Sequence, residues 1–408
     1  METEVTPKLK VVRAKGVIVM LRHRALKQWN RIVSAHFPHL SLPQVTGLSL
    51  WSFGMVLTRS SSLNRVSEAI AYLNQERPNT VRQRLKEWYQ EAAAKSGKHR
   101  SDWSVQECFA PLLAWVLELL PTDRQELFLA INSSSLKSRL TVLSVHVLYR
   151  DSAIPVAWKI MAAHQTGEWD PYWRQLFRAL QGVVPQEWRV VVCADRGLYA
   201  EWLYQLIVEM GWQPFLRINH RPRKSVQLLP QAKWQPLAAV VAPGQQWQGA
   251  VRCFPSNPLE CTLFARWDCD SAEPWLVLSD LTPTSGNVGW YGLRTWIEDS
   301  YRDSKSDGWR WQYSRITDPT RSERHWLAML AMSVATLWAL SLGTQVQDQQ
   351  AASAKGTNPR PLRPPAIQPR SRPWSCFLLG VLMFPLMLIQ GHSLGLPRLV
   401  PQFHLNSS

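Results

Sequence analysis

None of the six cysteines stands in a Cys-x-x-Cys pair. Cys108, Cys193, Cys253, Cys261, Cys269 and Cys376 are scattered along the 408 residues, which argues against both a zinc ribbon and a disulfide-stapled scaffold. Cys253, Cys261 and Cys269 fall at equal intervals and invite a zinc reading, but no close pair or partnering histidine supports it. Reduced thiols in a cytoplasmic protein fit better. A secretory signal is also missing: Lys8, Lys10, Arg13 and Lys15 precede only the short run Val17–Leu21 before Arg22 and Arg24, too brief for a signal core. Cys376–Ile389 is apolar, but it contains Pro385 and is shorter than the roughly 20 residues a membrane span needs. It reads as a packed helix or hydrophobic tail, so no membrane anchor is expected. Acidic residues are scarce too. Against 46 Lys and Arg stand 30 Asp and Glu, a formal charge of +16. A folded chain this basic usually meets a polyanion, most often nucleic acid, with an anionic membrane surface as the rival partner.

What is present suggests a helical region followed by an α/β region. Residues 1–120 read as helical, with mixed faces over Leu63–Leu73 and Thr80–Glu91 and an apolar stretch at Phe109–Leu120. Arg82, Arg84, Lys86, Lys95, Lys98 and Arg100 recur there, consistent with either a solvated bundle or a module that grips DNA ends. Glu126–Ile131, Arg139–Tyr149 and Ile154–Ala162 read as strands, with a turn at Arg150-Asp151-Ser152. A helix (Tyr172–Leu180), a strand (Trp188–Ala194) and a helix (Glu201–Met210) follow. Three strands, then helix, strand and helix, is the order of a ribonuclease-H-like α/β core, whose first part is expected over 121–213. Residues 214–286 read as a β-rich insertion, with strands at Pro214–Asn219, Ala238–Val241, Cys261–Trp267 and Trp275–Leu281. Helices closing the core are expected over 287–343: one from near Val288–Tyr291 to about Ser306, stopped by Asp307-Gly308, and one over Ser322–Leu342. Residues 344–375, with six prolines and five basic residues, read as a linker before a hydrophobic tail at 376–408. No internal repeat is evident.

The first of those closing helices carries the most informative pattern. With Tyr291 at zero and about 100° per residue, Arg294 lies near −60°, Glu298 near −20° and Lys305 near −40°. Such a stripe on an isolated helix usually means a solvated face with salt bridges. Phosphodiester chemistry gives it another meaning. Carboxylates converging from different elements can hold Mg²⁺, and cations beside them can bind backbone phosphates. Glu298 supplies a carboxylate, Arg294 and Lys305 supply cations, and Tyr291 supplies a hydroxyl. A second carboxylate, Asp195, ends the strand Val190–Ala194 in Cys193-Ala194-Asp195-Arg196-Gly197. Gly197 lets the chain turn away there, at the kind of strand end where α/β folds place ligands. Alone, Asp-Arg-Gly is only a turn.

Taken together, Tyr291-x2-Arg294-x3-Glu298-x6-Lys305, the Asp195-Arg-Gly turn, Arg139-Leu-Thr-Val-Leu and Ala153-Ile-Pro-Val-Ala-Trp158 resemble the YREK-signature DDE transposases of bacterial insertion sequences, over roughly Leu127 to Leu340. The resemblance implies a Mg²⁺- or Mn²⁺-dependent enzyme that cleaves and transfers strands at transposon ends, through a hairpin-ended intermediate in this subgroup. It implies a homodimer in a synaptic complex with double-stranded DNA, in a bacterial cytoplasm near the nucleoid. It casts Asp195 and Glu298 as metal-binding catalytic carboxylates and Tyr291, Arg294 and Lys305 as DNA-backbone contacts. An aromatic of the insertion is expected against a flipped base, with Trp267, Trp275 and Trp290 as candidates.

One position departs from the pattern. The first catalytic carboxylate should end the strand Leu127–Ile131, and there the chain has Asn132, followed by Ser133, Ser134 and Ser135. An amide oxygen can ligate, but two divalent cations side by side need negative charge to offset their repulsion. Asp123 and Glu126 are poor substitutes, since Glu126 lies about 20 Å back along an extended strand. The expectation is a transposase whose cutting is impaired. Its main competitor is a non-catalytic DNA-binding protein derived from one. A general ribonuclease-H-like nuclease and a membrane-surface protein remain the other readings.

Overall fold

A computed structural model of the chain describes residues 21–96, 102–120, 125–136, 138–163, 169–219, 225–231, 233–313, 327–353, 375–389 and 391. The chain is mixed α/β, built on one large sheet. Five helices come first: α1 (Arg24–His36), α2 (Leu42–Thr58), α3 (Leu63–Asn74), α4 (Pro78–Trp88) and α5 (Phe109–Leu119). Strands β1 (Glu126–Leu136), β2 (Leu140–Tyr149) and β3 (Ser152–Ala162) form an antiparallel meander. Arg150 and Asp151, both at positive φ (39° and 58°), make the tight β2–β3 turn. Helix α6 (Asp170–Leu180) leads to β4 (Arg189–Ala194), and α7 (Glu201–Glu209) leads to β5 (Gln213–Arg217). Both strands run parallel to β1, as helical crossovers allow.

The sheet continues through β6 (Ser225–Leu228), β7 (Trp234–Pro236), β8 (Gln246–Cys253), β9 (Leu259–Arg266) and β10 (Trp275–Ser279), in the order β3-β2-β1-β4-β5-β10-β9-β8-β6-β7. The sequence reading placed β5 in the insertion. Instead β5 joins β4 to β10 and makes the insertion a continuation of the same sheet. Ala238–Val241, expected as a strand, begins inside a 3₁₀ turn at Leu237–Ala239.

Every residue of β2 is buried, because apolar layers cover both faces of this part of the sheet. The larger layer carries the helices. There Trp29 of α1 stacks on Trp338 of α9 (Leu327–Ser353), with centroids 4.1 Å apart, and donates to Ser52 Oγ of α2 at 2.7 Å. Helix α9 extends past residue 343, so the first ten residues assigned to the linker are helical; residues 354–374, with all six of its prolines, lie outside the described residues. Within α9, Ala328–Gln347 is long and apolar enough to cross a membrane, but almost all of it is buried inside the protein. Cys376–Ile389 forms α10 and packs on α9 and α2. The α9–α10 contact is backbone-close: a Cβ on Gly380 would lie 1.6 Å from the carbonyl oxygen of Ala339, and one on Gly343 1.6 Å from that of Cys376.

The opposite face is covered by residues 288–302, whose Trp290, Tyr291, Leu293, Trp296 and Ile297 seal Phe128, Ala130, Val191, Cys193 and Phe215. The sequence reading expected one α-helix here. The structure has a 3₁₀ stretch (Val288–Thr295), a short α-helix α8 (Trp296–Arg302) and a π-helical turn (Asp303–Asp307). Gly289 and Gly292 weaken α-helix at the start, and Asn287 caps it by accepting from Gly289 N at 2.7 Å.

Candidate nucleic-acid interface

The ends of the parallel pairing of three strands lie side by side beneath that segment. The parallel register pairs Ile131 with Ala194 and Ala194 with Leu216, so Asn132, Asp195 and Arg217 stand next in line on β1, the β4 end and β5. Each continues the alternation of the face that carries Phe128 and Ala130, Val191 and Cys193, and Phe215. Asp195 and Asn132 are therefore neighbours. Asp195 is held in a turn in which its Oδ1 accepts from Gly197 N at 2.9 Å. Strand β1 itself runs on to Leu136, so Asn132 marks the end of parallel pairing and not the end of the strand.

The covering segment brings three of the four signature residues together. In a 3₁₀ turn residues i and i+3 eclipse, which sets Tyr291 against Arg294. The Arg294 guanidinium lies 5.9 Å from the Tyr291 ring centroid, and that of Arg217 lies 5.8 Å from it. Arg294 Nη2 donates to Glu298 Oε1 at 2.7 Å. Tyr291 is buried, the Arg294 side chain is 11% exposed and that of Glu298 59% exposed. Lys305 sits apart, because the π-helical turn carries it over β1. There its Nζ donates to Ser134 Oγ at 2.6 Å and lies 5.3 Å from the Tyr301 ring centroid. The narrow stripe expected on a regular helix is thus split between two neighbouring positions.

Unsatisfied donors concentrate at the first position. Nε and Nη1 of Arg294 and Nε of Arg217 are buried without a hydrogen-bond partner, and the Tyr291 hydroxyl has the Arg217 side chain as its neighbour. Leaving one buried polar group unpaired costs about 1–3 kcal/mol, so several in one place suggest a ligand surface. Burial opposes the charge of Arg294, yet Tyr291, Glu298 and Asp195 hold its pKa above the ordinary value. Burial likewise raises that of Tyr291, with Arg294 and Arg217 opposing. Arg217 is anchored by Glu273 Oε1 (3.2 Å) and Pro274 O (3.3 Å), and Glu273 also pairs with Arg196 of the Asp-Arg-Gly turn. The sequence reading missed Arg217, the last residue of β5 and one position past its last pairing with β4, next to where Asp195 follows β4.

The second position is neutral apart from Lys305. Asn132 Oδ1 accepts from Ser133 N at 2.9 Å, and Tyr301 donates to the Asn132 carbonyl at 3.3 Å. Tyr301 also meets Ser144, opposite Asn132 on β2, and Ser144 Oγ lies 2.9 Å from His146 Nε2. Burial lowers the His146 pKa to about 3, and burial also lowers that of Lys305. Glu126 pairs with Arg189 at the far end of β1 (3.1 Å), leaving it no role beside Asn132; Asp123 lies outside the described residues.

Of the three tryptophan candidates, Trp290 packs in the core against Phe128 and Phe215. Trp267 is tied to Ser271 O at 2.9 Å. Trp275 meets Tyr291 edge-on, with centroids 5.2 Å apart, and stands beside the unsatisfied donors. Among the described residues no group of three or more His, Cys, Asp or Glu converges to hold a metal ion. Asp195 and Glu298 are the only carboxylates of the expected set. Glu298 is engaged by Arg294, and a neutral Asn132 completes the row, so these residues do not fit a two-metal centre.

No protein-family model matches the chain, and no curated protein does. Among solved structures, the chain is similar to the piggyBac transposase in a synaptic complex with hairpin DNA, at a TM-score of 0.33 and 10% identity, covering 78% of this chain and 74% of that one. At that level the likeness decides neither fold nor function.

Proposed function

We propose that this chain is a DNA-binding protein of the DDE-transposase type, built on a ribonuclease-H-like core, whose site grips the DNA backbone while metal-dependent cleavage and strand transfer are impaired. The core reading is supported by the strand order β3-β2-β1-β4-β5, with β2 alone reversed against the parallel β1, β4 and β5. The functional reading is carried by one observation: the buried, unpaired donors of Arg217 and Arg294 beside Tyr291 and Asp195. A backbone phosphate offers the acceptors these donors lack, and a guanidinium fork can bind one bidentately. Lys305 and Ser134 would take an adjacent phosphate. Mg²⁺ or Mn²⁺ enters this reading only as the resemblance implies it, on Asp195 and Glu298. Glu298 would first have to release Arg294, and Asn132 would bring no charge. Pairing two DNA ends calls for two copies, so a homodimer on DNA belongs to the same reading.

The test uses the full chain and duplexes carrying the inverted repeats that flank its gene. Tight binding in EDTA, with cleavage in Mn²⁺ weak for wild type and raised by Asn132→Asp, supports the proposal. Efficient cleavage by wild type with no gain from the substitution removes the impairment. Equal affinity of wild type and Arg217→Ala/Arg294→Ala for duplex DNA removes the clamp.

A further inference from the structure

The π-helix is rare and occurs mostly as single turns, often at functional sites. The turn at Asp303–Asp307 carries Lys305, and its far end is fastened on three sides. Gly308 N closes it by donating to Asp303 O at 2.8 Å, and Trp309 N donates to the same oxygen at 3.0 Å. Trp309 is fully buried; its Nε1 donates to Thr336 Oγ1 of α9 at 3.0 Å, and its ring meets Phe377 of α10 edge-on. No side chain fits at 308, where a Cβ would lie 2.5 Å from the Phe377 ring and 2.6 Å from Asp303 O.

The remaining anchors come from the loop between α2 and α3, at the other end of the sequence. Ser61 N donates to Trp309 O at 2.8 Å, and Arg59 Nη2 donates to Asp307 O at 3.2 Å across 248 residues of chain. The loop is stiff. Thr58 Oγ1 donates to Gly54 O at 2.7 Å, Ser60 is buried, and Ser62 N donates to Ser60 Oγ at 3.2 Å. Arg59 takes the left-handed conformation that ends α2 (φ 49°), a place glycine fills most often. Glycine could not supply what Arg59 does. Its guanidinium satisfies a carbonyl that a helix end leaves without a partner, and it sets positive charge where the helix dipole favours it. Arg302 adds an ion pair to Asp307 Oδ2 at 3.4 Å.

We infer that Arg59 is a positioning residue, which fixes the π-helical turn and thereby holds Lys305 against Ser134, where it would meet a DNA phosphate. The inference rests on the phosphate-binding reading of Lys305 and adds what sets its geometry. A regular α-helical turn, closed one residue earlier, would rotate Lys305 about the helix axis and away from its 2.6 Å contact with Ser134 Oγ. Arg59 directs its guanidinium at the turn and needs no contact with DNA.

The test pairs a measurement without DNA and one with it, both on the full chain in EDTA. In protein carrying isotope-labelled lysine, the NMR signal of Lys305 is assigned by its loss in Lys305→Ala. Burial lowers the Lys305 pKa, so Arg59→Ala should move its titration upward, toward the ordinary lysine value. Arg59→Lys, which keeps a cationic donor, should restore it. Arg59 is exposed, and an unchanged melting curve would show that the variants fold. On duplex DNA, Arg59→Ala should lower affinity roughly 3- to 10-fold, and no further than Lys305→Ala does. The double variant Arg59→Ala/Lys305→Ala should bind no more weakly than Lys305→Ala alone. An unmoved Lys305 signal in Arg59→Ala overturns the inference. So do additive losses in the double variant, which would make Arg59 a DNA contact in its own right. If Lys305→Ala binds like wild type while Arg59→Ala still shifts the Lys305 signal, the positioning stands and the phosphate contact of Lys305 falls.

Discussion

Asn132→Asp places a carboxylate next to Asp195, and its cost can be worked from the register. Adjacent strands lie about 4.8 Å apart, so two carboxylates at roughly 5 Å repel by about 3 kcal/mol at an effective dielectric constant of 20. Lys305 offsets most of this. Its ammonium is bound to Ser134, two residues along the same face of β1, and at about 7 Å it attracts the new charge by about 2.4 kcal/mol. The net penalty without metal is of order 1 kcal/mol, small enough for the variant to fold. A divalent cation reverses the sign, since one bound at 100 times its Kd adds about 2.7 kcal/mol. The variant should therefore melt slightly below wild type in EDTA and be raised by roughly 3 °C in Mn²⁺, while wild type responds little. Differential scanning calorimetry with and without Mn²⁺ reads both shifts. Equal Mn²⁺ stabilisation of wild type and variant would refute the reasoning, because it would mean that a neutral residue at 132 costs the site nothing.

Other consequences are open to measurement. Arg217→Ala and Arg294→Ala each remove charge-assisted donors worth about 1.5–3 kcal/mol; fluorescence anisotropy should show duplex affinity falling roughly 10- to 100-fold for each, with a shallower salt dependence. Buried His146 stays neutral in the folded chain down to about pH 3, whereas the unfolded chain takes up its proton near pH 6.5. Stability from this group is thus complete above about 6.5 and lost as pH falls, by about 1.4 kcal/mol per unit; urea titrations should show that slope reduced in His146→Gln. Gly380→Val should unseat α10, because its Cβ would meet the Ala339 carbonyl, and should lower the melting temperature by several degrees at a cost of roughly 1–3 kcal/mol or more.

Much of the fold was legible because its signals are local. Apolar strands and the helices between them announced β1 to β4, α6 and α7 within a few residues. The errors fall where long-range pairing decides. β5 is too short to reveal that it pairs in parallel with β4, and β6 to β8 carry a weak, half-exposed pattern along the sheet extension. For the signature segment the composition was read correctly but the helix type was not. Spacing on an ideal helix joined Lys305 to Arg294, whereas a 3₁₀ start and a π-helical end divide them. Arg217 escaped notice because no motif marks it; only the register of β4 and β5 brings it beside Asp195.

Under the proposed reading, that division of the cations bears on how a chain with Asn132 in place of a carboxylate would hold DNA. Arg294 and Arg217 flank Tyr291, while Lys305 stands over β1, so the charges are spread along the row of strand ends and not stacked at one phosphate. An aspartate in place of Asn132 would have faced Lys305 and partly neutralised it. With asparagine there, Lys305 has, among the described residues, only the neutral Ser134 as its hydrogen-bond acceptor, and its charge would stay available to a phosphate. On the proposed reading, an amide in place of a carboxylate would weaken a metal site and strengthen an anion site in one step. On this account Asn132→Asp should gain cleavage and lose affinity in EDTA. Lys305→Ala should lower the affinity of wild type more than it lowers that of the Asn132→Asp variant. A double-mutant cycle on duplex binding measures the difference, and additive effects of the two substitutions would show that the two positions do not communicate.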